Sequence, residues 1–209
     1  MALSYNQLAA RRLDRISALS DGLFAIAMTL IVLEIRLPEA AGIHTEQDLW
    51  GALLDLSPRL VTYLLSFLTL GIFWSGQQTQ LNFLANADRH LSWIYLAFLA
   101  GIALMPFSTS VLAEFITFRI ALLVYWFNIF LLGALLYFAW IYAWRTGLVR
   151  QEAGVDVSAL LKRRILVAQA LYAIGALLCV INTYWSIGFI VLVQLNFAIA
   201  PRIPWLSRI

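Results

Sequence analysis

The architecture of this chain turns on RISALSDGLFAIAMTLIVLEIRLP, residues Arg15 to Pro38. The stretch starts basic, sets Ser20 beside Asp21, and then stays apolar for about three turns until Glu34. A membrane-spanning helix needs roughly 20 mostly apolar residues, and Ile16 to Leu37 supplies 22. A charged side chain at mid-helix costs about 2.5–3.5 kcal/mol on insertion, so Asp21 is expected to face protein or water. At about 100° per residue, Ile26, Leu30 and Leu33 fall within about 60° of one another, with Leu19 and Gly22 on the same side and Thr29 on the flank. Asp21 lies about 140° from Ile26, and Ser20 about 120° in the other direction. The helix thus has an aliphatic edge and an acid-bearing edge, both expected to meet protein. By itself the aliphatic stripe also fits simple packing on lipid or on a neighbouring helix.

Working outward, composition agrees with a membrane protein crossing the bilayer several times. Of 209 residues, 63% are hydrophobic and 12% charged, and the mean hydropathy is +0.86. Eight Trp and thirteen Phe suit an interfacial aromatic belt and lipid contact. The opening MALSYNQLAARRLDR has no apolar core or small-residue cleavage site, so the first span is expected to stay in the mature protein. A single cysteine, Cys179, excludes an intrachain disulfide.

An all-α fold follows, one membrane domain over 1–209 with six spans at about 16–37, 53–74, 91–113, 119–144, 165–181 and 187–200. The acidic segment from Pro38 to Asp55 is expected to be a loop with Trp50 near the membrane surface. The second run should give way to a polar stretch at Ser75 to Gln80, and Pro106 should kink the third helix near its end. Arg145 to Arg164 is expected to be the one soluble loop. Ile165 to Ala200 holds 36 uncharged residues, too long for one helix across a core of about 30 Å. A division at Asn182 to Ser186 yields the fifth and sixth helices, with Pro201 and Pro204 ending the last.

Charge orients the spans. Six crossings put Arg11, Arg12, Arg15, Arg89, Arg145, Arg150, Lys162, Arg163, Arg164, Arg202 and Arg208 on one side, and only Arg36, Arg59 and Arg119 on the other. The positive-inside rule then places both termini in the cytoplasm. The Lys162-Arg163-Arg164 cluster should meet anionic headgroups. Asn128 and Gln194 should form hydrogen bonds between helices.

Catalytic motifs are missing. The chain has no G-x-S-x-G, H-E-x-x-H or Walker loop, and His44 and His90 fall at opposite ends of the spans. No enzyme, metal centre, cofactor or nucleic-acid partner is expected. A TVGYG-type carbonyl filter is likewise missing. A pore with an apolar constriction, lined by a repeated helix in an oligomer, remains available.

Arg15-Ile-Ser-Ala-Leu-Ser20-Asp21 resembles the R-x-x-x-F-S-D signature that opens the first helix of the transmembrane protein 175 family, endosomal and lysosomal potassium channels with single-repeat prokaryotic relatives. The continuation DGLFAIAMTLIVLEIRLP is similar to the prokaryotic form almost throughout. Ala87-Asp88-Arg89 and Met105-Pro106-Phe107-Ser108-Thr109 also resemble family segments. Leu19 replaces the usual aromatic, and Gln77-Gln78 follows Trp74 where relatives often carry a His-His pair. Glutamine both donates and accepts hydrogen bonds.

The resemblance implies a homotetramer in a prokaryotic inner membrane, passing potassium in preference to sodium without a carbonyl filter. It implies an aliphatic constriction at Ile26, Leu30 and Leu33 and a hydroxyl layer at Thr29. It also implies that Arg15, Ser20 and Asp21 hold the first helix against its own subunit; Glu34, by its position at the outer end of that helix, is expected at the pore mouth. Its partners would be other copies of itself, the lipid bilayer and monovalent cations. The helical wheel keeps Arg15 and Asp21 apart, so Gln77, Asn82 or Arg89 is expected to meet Asp21. A proton-coupled or small-solute transporter using Asp21 as its titrating carrier is the alternative.

Overall fold

The computed structural model describes residues 13–36 and 42–199. Arg11, Arg12, Leu37, Pro38, Glu39, Ala200, Pro201, Arg202, Pro204 and Arg208, each given a place in the sequence reading, lie outside the described residues. Described secondary structure is helical: α1 Leu13–Leu30 with a 3-10 turn Ile31–Glu34, α2 Glu46–Asp55, α3 Ser57–Asn82, α4 Arg89–Ala103, α5 Met105–Glu114, α6 Arg119–Arg145, α7 Val155–Leu177 with a 3-10 turn Leu178–Val180, and α8 Thr183–Ile199. One isolated β-bridge joins Leu84 and Val149.

Five helical stretches are long and apolar enough to cross a membrane: Leu13–Glu34, Ser57–Asn82, Arg89–Glu114, Arg119–Arg145 and Val155–Val180. Helix α8 is apolar but shorter, at 17 residues. The chain is a multi-pass helical membrane protein. Its helices alternate in direction where contacts define the register. Antiparallel packing of α1 on α3 is set by Ser20 against Gln77 at one end and the Glu34 carbonyl against Arg59 at the other. Between α6 and α7, Trp140 meets Ser158 while the Ile129 carbonyl meets Gln169. The core between them is apolar and closely filled, with Leu65, Leu91, Ile102, Leu122, Ile129 and Leu132 buried.

Several boundaries differ from the sequence-based spans, each for a local reason. The acidic segment is not all loop: Thr45 and Asp48 close a capping box that starts α2. The second span begins at Ser57, with Pro58 in its first turn, and does not stop at Trp74. It runs through Ser75 to Asn82 because Gln77 and Gln80 are buried with partners on neighbouring helices. The third span breaks at Leu104, and Pro106 sits in the first turn of α5, where a proline costs no helical hydrogen bond. The soluble loop after α6 is shorter than Arg145 to Arg164, because α7 already starts at Val155 and carries Lys162-Arg163-Arg164 on its first turns. Between α7 and α8 the chain turns at Ile181 and Asn182, so the final helix starts at Thr183.

Polar side chains within the bundle are largely paired. Asn128 Nδ2 donates to Ser108 Oγ at 3.2 Å, and Gln194 Nε2 donates to Thr69 Oγ1. Thr69 and Tyr125 share a further hydrogen bond of 2.9 Å. Both polar residues of the fourth and sixth runs therefore join helices, as their placement in apolar surroundings requires. At the basic end, Asp88 caps α4 by accepting from the Leu91 amide at 2.7 Å, and its second oxygen accepts from the Tyr142 hydroxyl.

Candidate functional site

Helix α1 packs through one face only. Ser20, Phe24, Ala27 and Ile31 are buried, following the i, i+4, i+7, i+11 spacing of a single helical stripe. On the opposite side Ile26 is 58% exposed, Leu30 43% and Leu33 68%. The aliphatic edge seen on the wheel is thus a real surface of the protomer, left uncovered by its own chain. Its far end is wound more tightly than expected. In a 3-10 turn residues three apart eclipse, so Leu33 stacks over Leu30 instead of standing off to its side. Thr29 is exposed beside this stripe, and its hydroxyl donates back to the Ile26 carbonyl at 2.8 Å. That bond uses the hydroxyl proton and leaves both lone pairs of the oxygen available to accept.

A polar seam holds the helix on α3. Gln77 Nε2 donates to Ser20 Oγ at 2.9 Å, and Ser20 Oγ donates to the Ile16 carbonyl at 2.8 Å. Asp21 Oδ1 accepts from Trp74 Nε1 at 2.8 Å and from Gln78 Nε2 at 2.7 Å. Trp74 and Gln78 are four residues apart on α3, which puts both donors on one face and lets them converge on a single carboxylate. The expected partners of Asp21 were therefore wrong in detail: Gln77 serves Ser20, while Asn82 and Arg89 take no part. The carboxylate is also exposed, lying at the edge of the packed face and not beneath it. Arg15 is exposed too and makes no side-chain hydrogen bond or ion pair with the described residues.

The other end of α1 has its own clamp. Arg59 Nη1 donates to the Glu34 carbonyl at 3.2 Å, while Arg59 Nη2 meets Glu114 at 2.6 Å. Glu34 is half-buried at this end. The Arg59 link was not foreseen; its signal was an arginine directly after Pro58, facing the acid that ends α5. Among the described residues, no three His, Cys, Asp or Glu side chains gather in a way that could hold a metal ion.

Comparison with known proteins identifies the family. Residues 15–106 match the family described as "Endosomal/lysosomal potassium channel TMEM175". A potassium channel of Chamaesiphon minutus is 30% identical over 190 residues, covering 88% of this chain and 93% of that one. The chain belongs to the TMEM175 family. A Streptomyces collinus potassium channel is 39% identical over 102 residues, but that match spans only 49% of this chain and 48% of the relative. The crystal structure of a lysosomal potassium-selective channel TMEM175 homologue from Chamaesiphon minutus superposes with a TM-score of 0.79 at 26% identity, covering 90% of this chain and 97% of that one. The human relative, named an endosomal/lysosomal proton channel, is 31% identical over 109 residues, 48% of this chain and 22% of its own length. TMEM175 is a family of ion channels and not of enzymes. Within it, the first-helix segment Arg15 to Glu34 and the proline-containing break near Met105 both fall inside the matched region.

Proposed function

We propose that this protein is a passive, potassium-favouring cation channel of a prokaryotic inner membrane. Four copies surround a pore lined by the first helix of each, with six crossings per subunit and both termini cytoplasmic. Ile26, Leu30 and Leu33 form an aliphatic constriction, Thr29 a hydroxyl layer beside it, and Glu34 the mouth. Potassium is the permeant ion, and no bound cofactor takes part.

One observation carries this reading. The stripe Ile26–Leu30–Leu33 is exposed on a helix whose other face is fastened to its own subunit. Exposed aliphatic residues that converge on an axis make a narrow dry passage that gates by dewetting. The use of Asp21 as a hydrogen-bond anchor favours a channel over a carrier. Its carboxylate ties α1 to α3, whereas a titrating transporter would need it free to change partners. Of the fourteen basic residues, seven described ones (Arg15, Arg89, Arg145, Arg150, Lys162, Arg163 and Arg164) sit at the end assigned to the cytoplasm, against three (Arg36, Arg59 and Arg119) at the other.

The name of the human relative favours a second permeant ion, the proton. Reconstituted liposomes carrying a potassium gradient test both. A potassium channel discharges the gradient without an imposed proton gradient, and Leu30→Ala raises the flux by widening the constriction. Flux that appears only with a proton gradient supports the carrier. If Leu30→Ala and Ile26→Ala both leave flux and ion preference unchanged in folded protein, the pore assignment is wrong.

A further inference from the structure

Helix α2 buries none of its residues in its own protomer, yet it carries Leu49, Trp50, Leu53 and Leu54. Trp50 is 66% exposed and Leu54 56%. At about 100° per residue these four side chains fall within an arc of about 140°. Asp48 and Asp55, seven residues apart, stand together on the opposite side of the helix. Ala52, half-buried where the rest of the helix is exposed, lies on the flank between them and marks the side next to the rest of the chain. The helix thus has an apolar direction, an acidic direction facing away from it, and protein to one side. A helix lying along a membrane surface has this geometry.

Its place in the chain sets its depth. Leu56 alone separates α2 from α3, which is long and apolar enough to cross a membrane. With 26 residues α3 is about 39 Å long against a hydrocarbon core of about 30 Å, so its first turn stands at headgroup level. Leu56 holds ψ at −9°, short of the helical value of about −42°, and Pro58 follows, so the helical path breaks at that level. The uncovered surface continues onto α3 through the exposed Leu60, Val61 and Leu64. Tryptophan favours the boundary between headgroups and acyl chains. No Lys or Arg occurs from residue 37 to residue 58, so apolar burial and not attraction to anionic headgroups must hold the helix there. We propose that α2 lies along the leaflet at the Arg59 end of the bundle. Leu49, Trp50, Leu53 and Leu54 are sunk at the headgroup–acyl boundary of its phospholipids, with Asp48 and Asp55 in water. Because α2 joins α3 through Leu56 alone, this seat fixes the depth at which Arg59 meets the Glu34 carbonyl. The proposal requires that the chain lie in a membrane and is independent of whether it conducts.

Leu53→Cys and Asp55→Cys, each made in the full chain and labelled with the polarity-sensitive fluorophore NBD, test the seat in phosphatidylcholine vesicles. The parent chain, whose one cysteine, Cys179, is buried, serves as the blank. The Leu53→Cys label should emit at shorter wavelength and lose emission when part of the lipid carries a nitroxide high on its acyl chain. The Asp55→Cys label should do neither. Leu54→Cys should repeat the Leu53→Cys result and covers the case in which Leu53→Cys fails to fold. Adding phosphatidylglycerol should leave the loss unchanged, because apolar contact drives the seating. Quenching that appears only with phosphatidylglycerol would overturn the proposal in favour of charge attraction. A Leu53→Cys label that is shifted but not quenched would overturn it too, since protein such as a second copy would then cover the face. Equal quenching of the two labels, or water-like emission from both, would show that the helix does not lie along the surface.

Discussion

Replacing Asp21 by alanine removes the acceptor that Trp74 and Gln78 share and leaves two N–H donors of α3 without a partner. Hydrogen bonds to a charged group contribute about 1.5–3 kcal/mol each in water-soluble proteins. Bonds between membrane helices average about 0.6 kcal/mol and reach about 1.7. Because Asp21 is exposed in the protomer, the lower scale applies, and the pair together contributes about 1–2 kcal/mol. For a chain of this size such a loss lowers the melting temperature by about 3–6 °C. Heating the detergent-solubilised oligomer and following the surviving peak by size-exclusion chromatography measures it. Trp74→Phe removes one of the two bonds and should show about half the effect. In the double variant the Trp74 change should add almost nothing, since its partner is already gone. Full additivity, or an Asp21→Ala oligomer as heat-resistant as the parent, would refute the anchoring role. A change in potassium-to-sodium preference at unchanged stability would refute it equally, because it would place the carboxylate in the ion path.

Thr29→Val keeps the shape of the side chain but removes the hydroxyl that donates to the Ile26 carbonyl; reversal potentials in mixed potassium and sodium should show selectivity falling by about two- to ten-fold, the worth of one hydrogen-bonding contact. Gly175→Ala sets a methyl group 2.7 Å from Cγ1 of the fully buried Ile190, so α7 and α8 must part; the overpacking cost of about 1–3 kcal/mol exceeds the roughly 1 kcal/mol gained in helix propensity, and the melting temperature should fall. Asp48 has its carboxyl held below the ordinary value of 3.8 by the Thr45 hydroxyl and then by the His44 and Thr45 amides. Its folded value is the lower one, so the α2 cap is fully effective above 3.8 and is lost as pH falls through that lowered value. Hydrogen exchange of the His44 and Thr45 amides, corrected for the intrinsic rate, should show protection collapsing there, and Asp48→Asn should remove the pH dependence.

Much of this was legible because a membrane helix advertises itself by length and polarity. The angular separation of Ile26 and Leu30 from Asp21 survives in three dimensions because α1 is regular through Leu30. The wheel fails beyond that point, where tighter winding moves Leu33. It also gives angle without register. Nothing in one helix says which turn of α3 lies opposite Asp21, so Gln77 was a reasonable partner and its neighbour Gln78 the actual one. Polarity alone misplaces a helix end where the polar side chains meet protein instead of water. Gln77 and Gln80 are polar yet buried, and the helix continues because their amide nitrogens bond to other helices. Helix α2 had a readable start in Thr45-x-x-Asp48, obscured by the surrounding acids.

Arg59 has a mechanical consequence. It grips the carbonyl of Glu34, while Trp74 and Gln78 grip Asp21 some 13 residues away. At about 1.5 Å per residue the two grips are roughly 20 Å apart. The first helix is therefore a beam clamped at both supports, unable to swing about either end. Between the two grips Phe24, Ala27 and Ile31 seat its inner face on the bundle, so Ile26, Thr29 and Leu30 are presented outward from a fixed rod.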